Sequence, residues 1–191
     1  MFSFFHFLKA ALKNPLRVST VFETGPTVGK ILVGVVPEHP NGLVIELGVG
    51  TGAITEAILD KLGEDTSRYL GFELDESMVK YVRRRFPGAR FEAAGAETFK
   101  DYLGGQKVSA VISTLPWTLM PPELVTTILK NVKENLTNDG GGFATYVTAH
   151  VLKTPAGKRV QGAFAETFPN LQNEFIANNL PPARVLTARM H

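Results

Sequence analysis

The 191-residue sequence contains no cysteine. That absence excludes a disulfide framework, a thiolate metal site and a cysteine nucleophile, and it agrees with a cytoplasmic protein. Long apolar runs are missing too. Residues 31–36, among the longest, include Gly34 and fall far short of the ~18–20 residues that cross a bilayer. Residues 1–8 are rich in phenylalanine but have no leading Lys or Arg, and Lys9 and Lys13 interrupt the run beyond them. The segment therefore reads as retained rather than as a cleaved signal. Acidic residues are absent before Glu23, and there are one Trp and four His, so candidates for indole or imidazole chemistry are few.

What is present is an ordinary globular composition, 44% hydrophobic and 20% charged, with 18 Gly and 12 Pro. The length predicts one domain over 1–191, large enough for a core that needs no covalent staple. The net charge of +2 conceals a segregation: residues 18–149 carry 12 basic and 16 acidic side chains, whereas the two flanks carry 8 and 2. Basic flanks point to an anionic partner. Near the N-terminus Phe4, Phe5, Leu8 and Leu12 recur at helical spacing while Lys9, Lys13 and Arg17 lie off that stripe. The pattern predicts an amphipathic cationic helix over 1–17, able to lie in the headgroup plane of an anionic membrane, with the core over 18–191. Lys153, Lys158 and Arg159 form a second acid-free basic stretch, read as a loop suited to a phosphate group.

From residue 42 onward short apolar segments alternate with helix-like stretches, the pattern of a doubly wound α/β fold with a mostly parallel sheet. Strands are predicted over 43–47, 69–73, 90–93, 108–113 and 142–148, several as the continuous apolar runs of buried parallel strands. Helices are predicted over 53–62, 76–86, 97–103 and 122–136. Two more extended segments, 171–176 and 183–189, come after a polar stretch in which no long helix is evident and read as a closing antiparallel hairpin. The cluster 37–42 reads as a loop entering the first strand.

The most informative stretch runs Val44-Ile45-Glu46-Leu47-Gly48-Val49-Gly50-Thr51-Gly52-Ala53-Ile54-Thr55, from the first strand into a helix. Glycines there allow positive φ and close approach of a ligand to the backbone, and the next helix offers free amides. The spacing is Gly-x-Gly-x-Gly rather than the Gly-x-Gly-x-x-Gly of dinucleotide pyrophosphate loops, and Glu46 stands where a carboxylate would repel phosphate and suit a cationic ligand. Glu73, 21 residues beyond Gly52, falls at the carboxyl end of the second strand, from which an acid accepts the hydroxyls of an unmodified ribose.

This constellation resembles the class I S-adenosylmethionine-dependent methyltransferases, with a Rossmann-like seven-stranded sheet. The resemblance implies S-adenosylmethionine as cofactor, no metal, and a cofactor site made of Glu46, Gly48, Gly50, Thr51, Gly52, Glu73 and Leu74. Ala96 and Glu97 would lie by the adenine, where many relatives carry aspartate, and Ser113 and Leu115 at the end of the fourth strand. The segments Ser113-Thr114-Leu115-Pro116-Trp117, Met120-Pro121-Pro122-Glu123-Leu124-Val125 and Asn179-Leu180-Pro181-Pro182-Ala183-Arg184-Val185 are similar to those of bacterial phospholipid N-methyltransferases. That family methylates the amine of phosphatidylethanolamine toward phosphatidylcholine at the inner membrane face. The resemblance implies a phospholipid acceptor, a peripheral membrane location and no nucleic acid partner. In a direct displacement by the neutral amine, His150 or Tyr146 would take or relay the proton, and the faces of Trp117 and Tyr146 would stabilise the cationic product. Phe4, Phe5, Lys9, Lys13, Arg17, Lys158 and Arg159 would meet lipid. An RNA adenine methyltransferase and a non-catalytic cofactor-binding scaffold at the membrane are the alternatives.

Overall fold

The computed structural model describes residues 25–63 and 65–190. The expected N-terminal helix, with Phe4, Phe5, Lys9, Lys13 and Arg17, lies outside the described residues. The strands are β1 (Leu43–Leu47), β2 (Tyr69–Glu73), β3 (Arg90–Ala93), β4 (Val108–Ser113), β5 (Gly142–Thr148), β6 (Gln172–Ile176) and β7 (Ala183–Arg189). They form one sheet in the order β3-β2-β1-β4-β5-β7-β6. β1 pairs in parallel with β2 and β4, and the remaining pairs out to β3 and β5 are parallel as well. β7 runs antiparallel to both β5 and β6. This is the expected doubly wound sheet with its antiparallel close.

The helices are α1 (Pro26–Val33), α2 (Ala53–Leu62), α3 (Glu76–Arg85), α4 (Pro122–Asn135) and α5 (Pro155–Thr167). Alternation along the strands divides the core into two layers. Leu43, Ile45 and Leu47 of β1 join Val125, Ile128 and Leu129 of α4 and Phe164 of α5 on one face. Val44 joins Val28 and Leu32 of α1, Ile54 and Ile58 of α2, and Val79 and Val82 of α3 on the other. Because helices cover both faces, every residue of β1, β4 and β5 is buried, which explains why these strands are mainly apolar and do not alternate. Phe143 stacks on Phe164 and Phe168 with ring centroids 5.8 and 5.0 Å apart, fixing α5 against β5; full burial of each ring is worth about 1.5–3 kcal/mol.

Two elements depart from expectation. The polar stretch after β5 contains α5, a 13-residue helix. Gly157 and Gly162 dilute its apolar pattern, yet Thr154 caps it by accepting the Gly157 N–H and Pro155 occupies its first turn. Lys158 and Arg159 are therefore exposed residues of a helix, not of a loop. The segment expected as a helix over 97–103 is a 3-10 turn, Ala96–Tyr102.

Candidate functional site

The strand order reverses between β2 and β4 on either side of β1, and ligands of open α/β sheets sit outside the carboxyl ends at such a point. The glycine loop leaves β1 there. Gly48, Gly50 and Gly52 have φ of +85°, +55° and +84°, as the spacing predicted. Gly48 and Val49 donate their N–H groups to Phe72 O on β2 (2.9 and 3.2 Å), and Thr114 N donates to Leu47 O (3.0 Å), so both neighbouring strands hold the loop. Gly52 caps α2 in the left-handed region and lies against the Phe86 ring, 2.6 Å from where a Cβ would stand. Nothing lies within 4 Å of a Cβ built on Gly50, so that side of the loop is open to a ligand.

Glu73 stands beside the loop. Its Oε2 accepts the Gly50 N–H at 2.9 Å and its Oε1 the Asp75 N–H at 3.0 Å. A carboxylate has about four acceptor positions, so two remain for a pair of ribose hydroxyls. Leu74 is 38% exposed beside it. Thr51 is exposed, and its carbonyl accepts from Arg85 Nη1 at 3.1 Å. Ala96 is buried, and the Glu97 carboxylate folds back over Gly95, occupying the space a side chain would take there.

Glu46 differs from expectation. Strand alternation turns its side chain away from Ile45 and Leu47, toward α2 and beneath the loop, where it is 0% exposed. Its Oε2 accepts the Thr55 hydroxyl at 2.7 Å and the Tyr69 hydroxyl at 2.5 Å. Gly71 pairs with Glu46 across β1 and β2 and leaves room for that phenol, with which a Cβ at this position would collide. Oε1 has no hydrogen-bond partner among the described residues. Burial pushes the Glu46 carboxyl up from 4.5 to about 7, against the pull of the Tyr69 and Thr55 hydroxyls. Burial, with the neighbouring Glu46 charge, holds the Tyr69 phenol well above its usual 10, so Tyr69 remains a donor. The Glu46 carboxyl thus lies beneath the loop, held by Thr55 and Tyr69, rather than on its open side.

Ser113 also differs. Its side chain is fully buried and accepts the Leu115 N–H at 3.3 Å. The next residue, Thr114, reaches the loop instead: its hydroxyl donates to Gly48 O at 2.5 Å. Leu115 packs 3.2 Å from the position of a Gly48 Cβ. Ser113 and Leu115 were among the expected site residues, whereas Thr114, Thr55, Tyr69 and Arg85 were not.

Beside Thr114 opens a second pocket of about 410 Å³. The three residues expected to carry chemistry, Trp117, Tyr146 and His150, all line it, with Thr148 among its polar residues. Tyr146 is 8% exposed and His150 exposed. Trp117 is 1% exposed; its indole N–H donates to Thr145 Oγ1 at 2.8 Å and its ring meets Phe164 edge-on at 5.2 Å. The ring is a wall packed into the core, so its face is not open to a cation as expected. The Thr148 hydroxyl is buried without a partner among the described residues. No cluster of His, Asp and Glu that could hold a metal occurs among the described residues, and no helix among them is long and apolar enough to cross a membrane.

Comparison with known proteins agrees with this geometry. Residues 44–140 match the methyltransferase domain family. The ornithine lipid N-methyltransferase of Singulisphaera acidiphila is 28% identical over 73% of this chain and 76% of that enzyme. The ribosomal RNA small subunit methyltransferase A of Thermotoga petrophila is 25% identical over 60% of this chain, which spans 42% of that enzyme's length. The crystal structure of Aeropyrum pernix fibrillarin with natively bound S-adenosylmethionine shares the fold, with a TM-score of 0.61 at 15% identity over 85% of this chain and 73% of that one. With a loop open at Gly50, a carboxylate with acceptor capacity at Glu73 and a match across the sheet's parallel half, the chain belongs to the methyltransferase domain family, as a class I enzyme dependent on S-adenosylmethionine.

Proposed function

We propose that the protein methylates the primary amine of a membrane aminolipid, phosphatidylethanolamine or an ornithine lipid, at the bilayer surface. The observation that carries this reading is the character of the acceptor pocket, lined by Leu115, Trp117, Leu119, Val151 and Pro181 among others and, among the described residues, by no Lys or Arg. A polynucleotide needs cationic side chains for its phosphates. Leu119 on the pocket wall is 60% exposed and Leu180, next to Pro181, is 90% exposed; apolar surface at a pocket rim suits an acyl boundary better than water. The lipid-directed relative supports the same reading.

When bound, S-adenosylmethionine would supply a sulfonium methyl group open to in-line attack by a neutral amine nitrogen, the N–C bond forming as the C–S bond breaks and the thioether leaves. The chain's own part is alignment and exclusion of water. Glu73 and the open face of Gly50 would hold the nucleoside. Thr114, bonded to Gly48 O and lining the acceptor pocket, registers the loop against the acceptor. An ammonium has no lone pair, so it must first lose a proton; His150 accepts it at an imidazole nitrogen and passes it to solvent. The Tyr146 ring stabilises the positive charge that the product keeps.

Label from methyl-labelled S-adenosylmethionine is expected in the lipid extract after incubation with vesicles of phosphatidylethanolamine or ornithine lipid. Small-subunit ribosomal RNA and free ethanolamine are expected to stay blank. Label in either of those with blank lipids overturns the reading, as does cofactor binding with no transfer to any acceptor. His150→Gln is expected to lower kcat roughly tenfold, below the usual 10²–10⁴ for a general base, since water can reach an exposed site and stand in for it. An unchanged kcat removes His150 from the scheme.

A further inference from the structure

A second groove, of about 320 Å³, runs between the Trp117–Leu119 turn, α4 and α5. Its floor includes Val125 and Val160, both buried, with half-buried Met120 and Ala163 beside them. Exposed Arg159 and Glu166 also line it; neither has an ion pair among the described residues. Thr118 lines both this groove and the acceptor pocket, so the two spaces are separated by a single three-residue turn. The acceptor pocket has the size of a headgroup or small-ligand site, whereas an aminolipid brings acyl chains that need an apolar place when its amine is drawn out of the bilayer.

We propose that the groove between the Trp117–Leu119 turn, α4 and α5 holds one acyl chain of the lipid whose amine lies in the neighbouring pocket. This rests on the aminolipid reading. Val125, Val160, Met120 and Ala163 meet the chain, and Arg159, which has no ion pair of its own among the described residues, steadies the lipid's anionic group. Gly162 keeps the groove open. It lies on the groove wall in the interior of α5, and a Cβ built on it meets nothing within 4 Å. A helix-interior glycine costs about 1 kcal/mol relative to alanine, and an open groove gives that position a use.

The test is Gly162→Leu, which fills the groove at a position where the fold has room and where helix propensity improves, so an unchanged or higher Tm and unchanged cofactor binding serve as controls. The measurement is the ratio of kcat/KM for dioleoyl to dihexanoyl lipid, using phosphatidylethanolamine and ornithine lipids in mixed micelles. The ratio is expected to fall at least tenfold in the variant. Trp117 is the protein's single tryptophan and stands in the turn beside the groove. Its fluorescence is expected to be quenched by phosphatidylethanolamine brominated at mid-chain, and less so in the variant. Lipid methylation with an unchanged ratio overturns the groove assignment alone. No methylation of any lipid by the unaltered protein overturns the aminolipid reading and the groove with it.

Discussion

Replacing Glu46 by glutamine is expected to make the protein at least as stable at pH 8 and less able to hold its cofactor. In the native state burial raises this carboxyl from 4.5 to about 7. Between those values the native protein therefore keeps a proton that the unfolded chain has lost, and stability falls as pH rises through the window. Above it the native state bears the full cost of a buried charge, about 3 kcal/mol at 1.36 kcal/mol per unit. The glutamine would carry no charge at any pH, but its amide would take the place of Oε1, which has no partner among the described residues; an unmet donor there costs about 1–3 kcal/mol. The variant is thus expected to be the less stable protein at pH 5 and the equal or more stable one at pH 8. The difference between the two should swing by about 2–3 kcal/mol over that range, where each kcal/mol moves Tm by roughly 2–4 °C in a chain of this size. Cofactor affinity should move the other way. A cationic ligand above the loop favours the ionised carboxylate, so the unaltered protein should release a proton on binding near pH 7 and bind more tightly as pH rises. The variant should do neither and should bind at least tenfold more weakly at pH 8, a loss of about 1.4 kcal/mol or more. Melting curves at the two pH values and calorimetry in buffers of different ionisation enthalpy decide it. A variant that melts lower at both, with proton release intact, would show that the charge beneath the loop is not the one being felt.

The parts of this fold that were legible in the sequence are those whose cause is local. A strand buried on both faces is apolar on both, so β1, β4 and β5 stood out as short, mainly apolar segments without alternation, their few buried polar residues being Glu46, Ser109, Ser113, Thr145 and Thr148. A loop with three positive-φ positions must carry glycine at each, so Gly48, Gly50 and Gly52 announced the turn. What was hidden depends on where a side chain points or what lies across the sheet. The motif marks Glu46 as an acid near the ligand, but period-two alternation turns it under the loop, and only the register of β2 brings Tyr69 and Gly71 to meet it. The same parity buries Ser113 and sends Thr114 to Gly48. Alternation counted from Leu47 would have separated both pairs. α5 escaped notice because two glycines interrupt its stripe: Gly157 packs where a Cβ would run into the Val151 carbonyl, and Gly162 faces an open groove. Tertiary packing asked for glycine in each case, against helix propensity.

The two glycines at the ends of the loop's second half should separate folding from ligand binding. Gly50 and Gly52 both sit at positive φ, +55° and +84°, and an L-residue in that region costs about 1–2 kcal/mol. Beyond that shared strain their surroundings are opposite. A Cβ at Gly52 would stand 2.6 Å from the Phe86 ring and 3.4 Å from Val82, inside the layer that joins α2 to α3. Gly52→Ala must move the half-buried Phe86 ring or the start of α2, and overpacking of this kind adds about 1–3 kcal/mol. Its expected result is a Tm lower by several degrees, with cofactor affinity falling only as far as the loop is displaced. At Gly50 the same methyl meets no protein atom, so stability should fall by the strain alone. The methyl would project into the open side of the loop, next to the N–H that bonds Glu73 Oε2, where the nucleoside must approach the backbone. Gly50→Ala is therefore expected to weaken S-adenosylmethionine binding by a hundredfold or more, about 2.7 kcal/mol, in a protein whose Tm falls by the strain alone and so less than that of Gly52→Ala. Titration calorimetry and thermal melts on the two variants make the comparison. If Gly50→Ala binds normally, the ligand does not lie on that face of the loop, and the placement of the acceptor pocket relative to the methyl group fails with it.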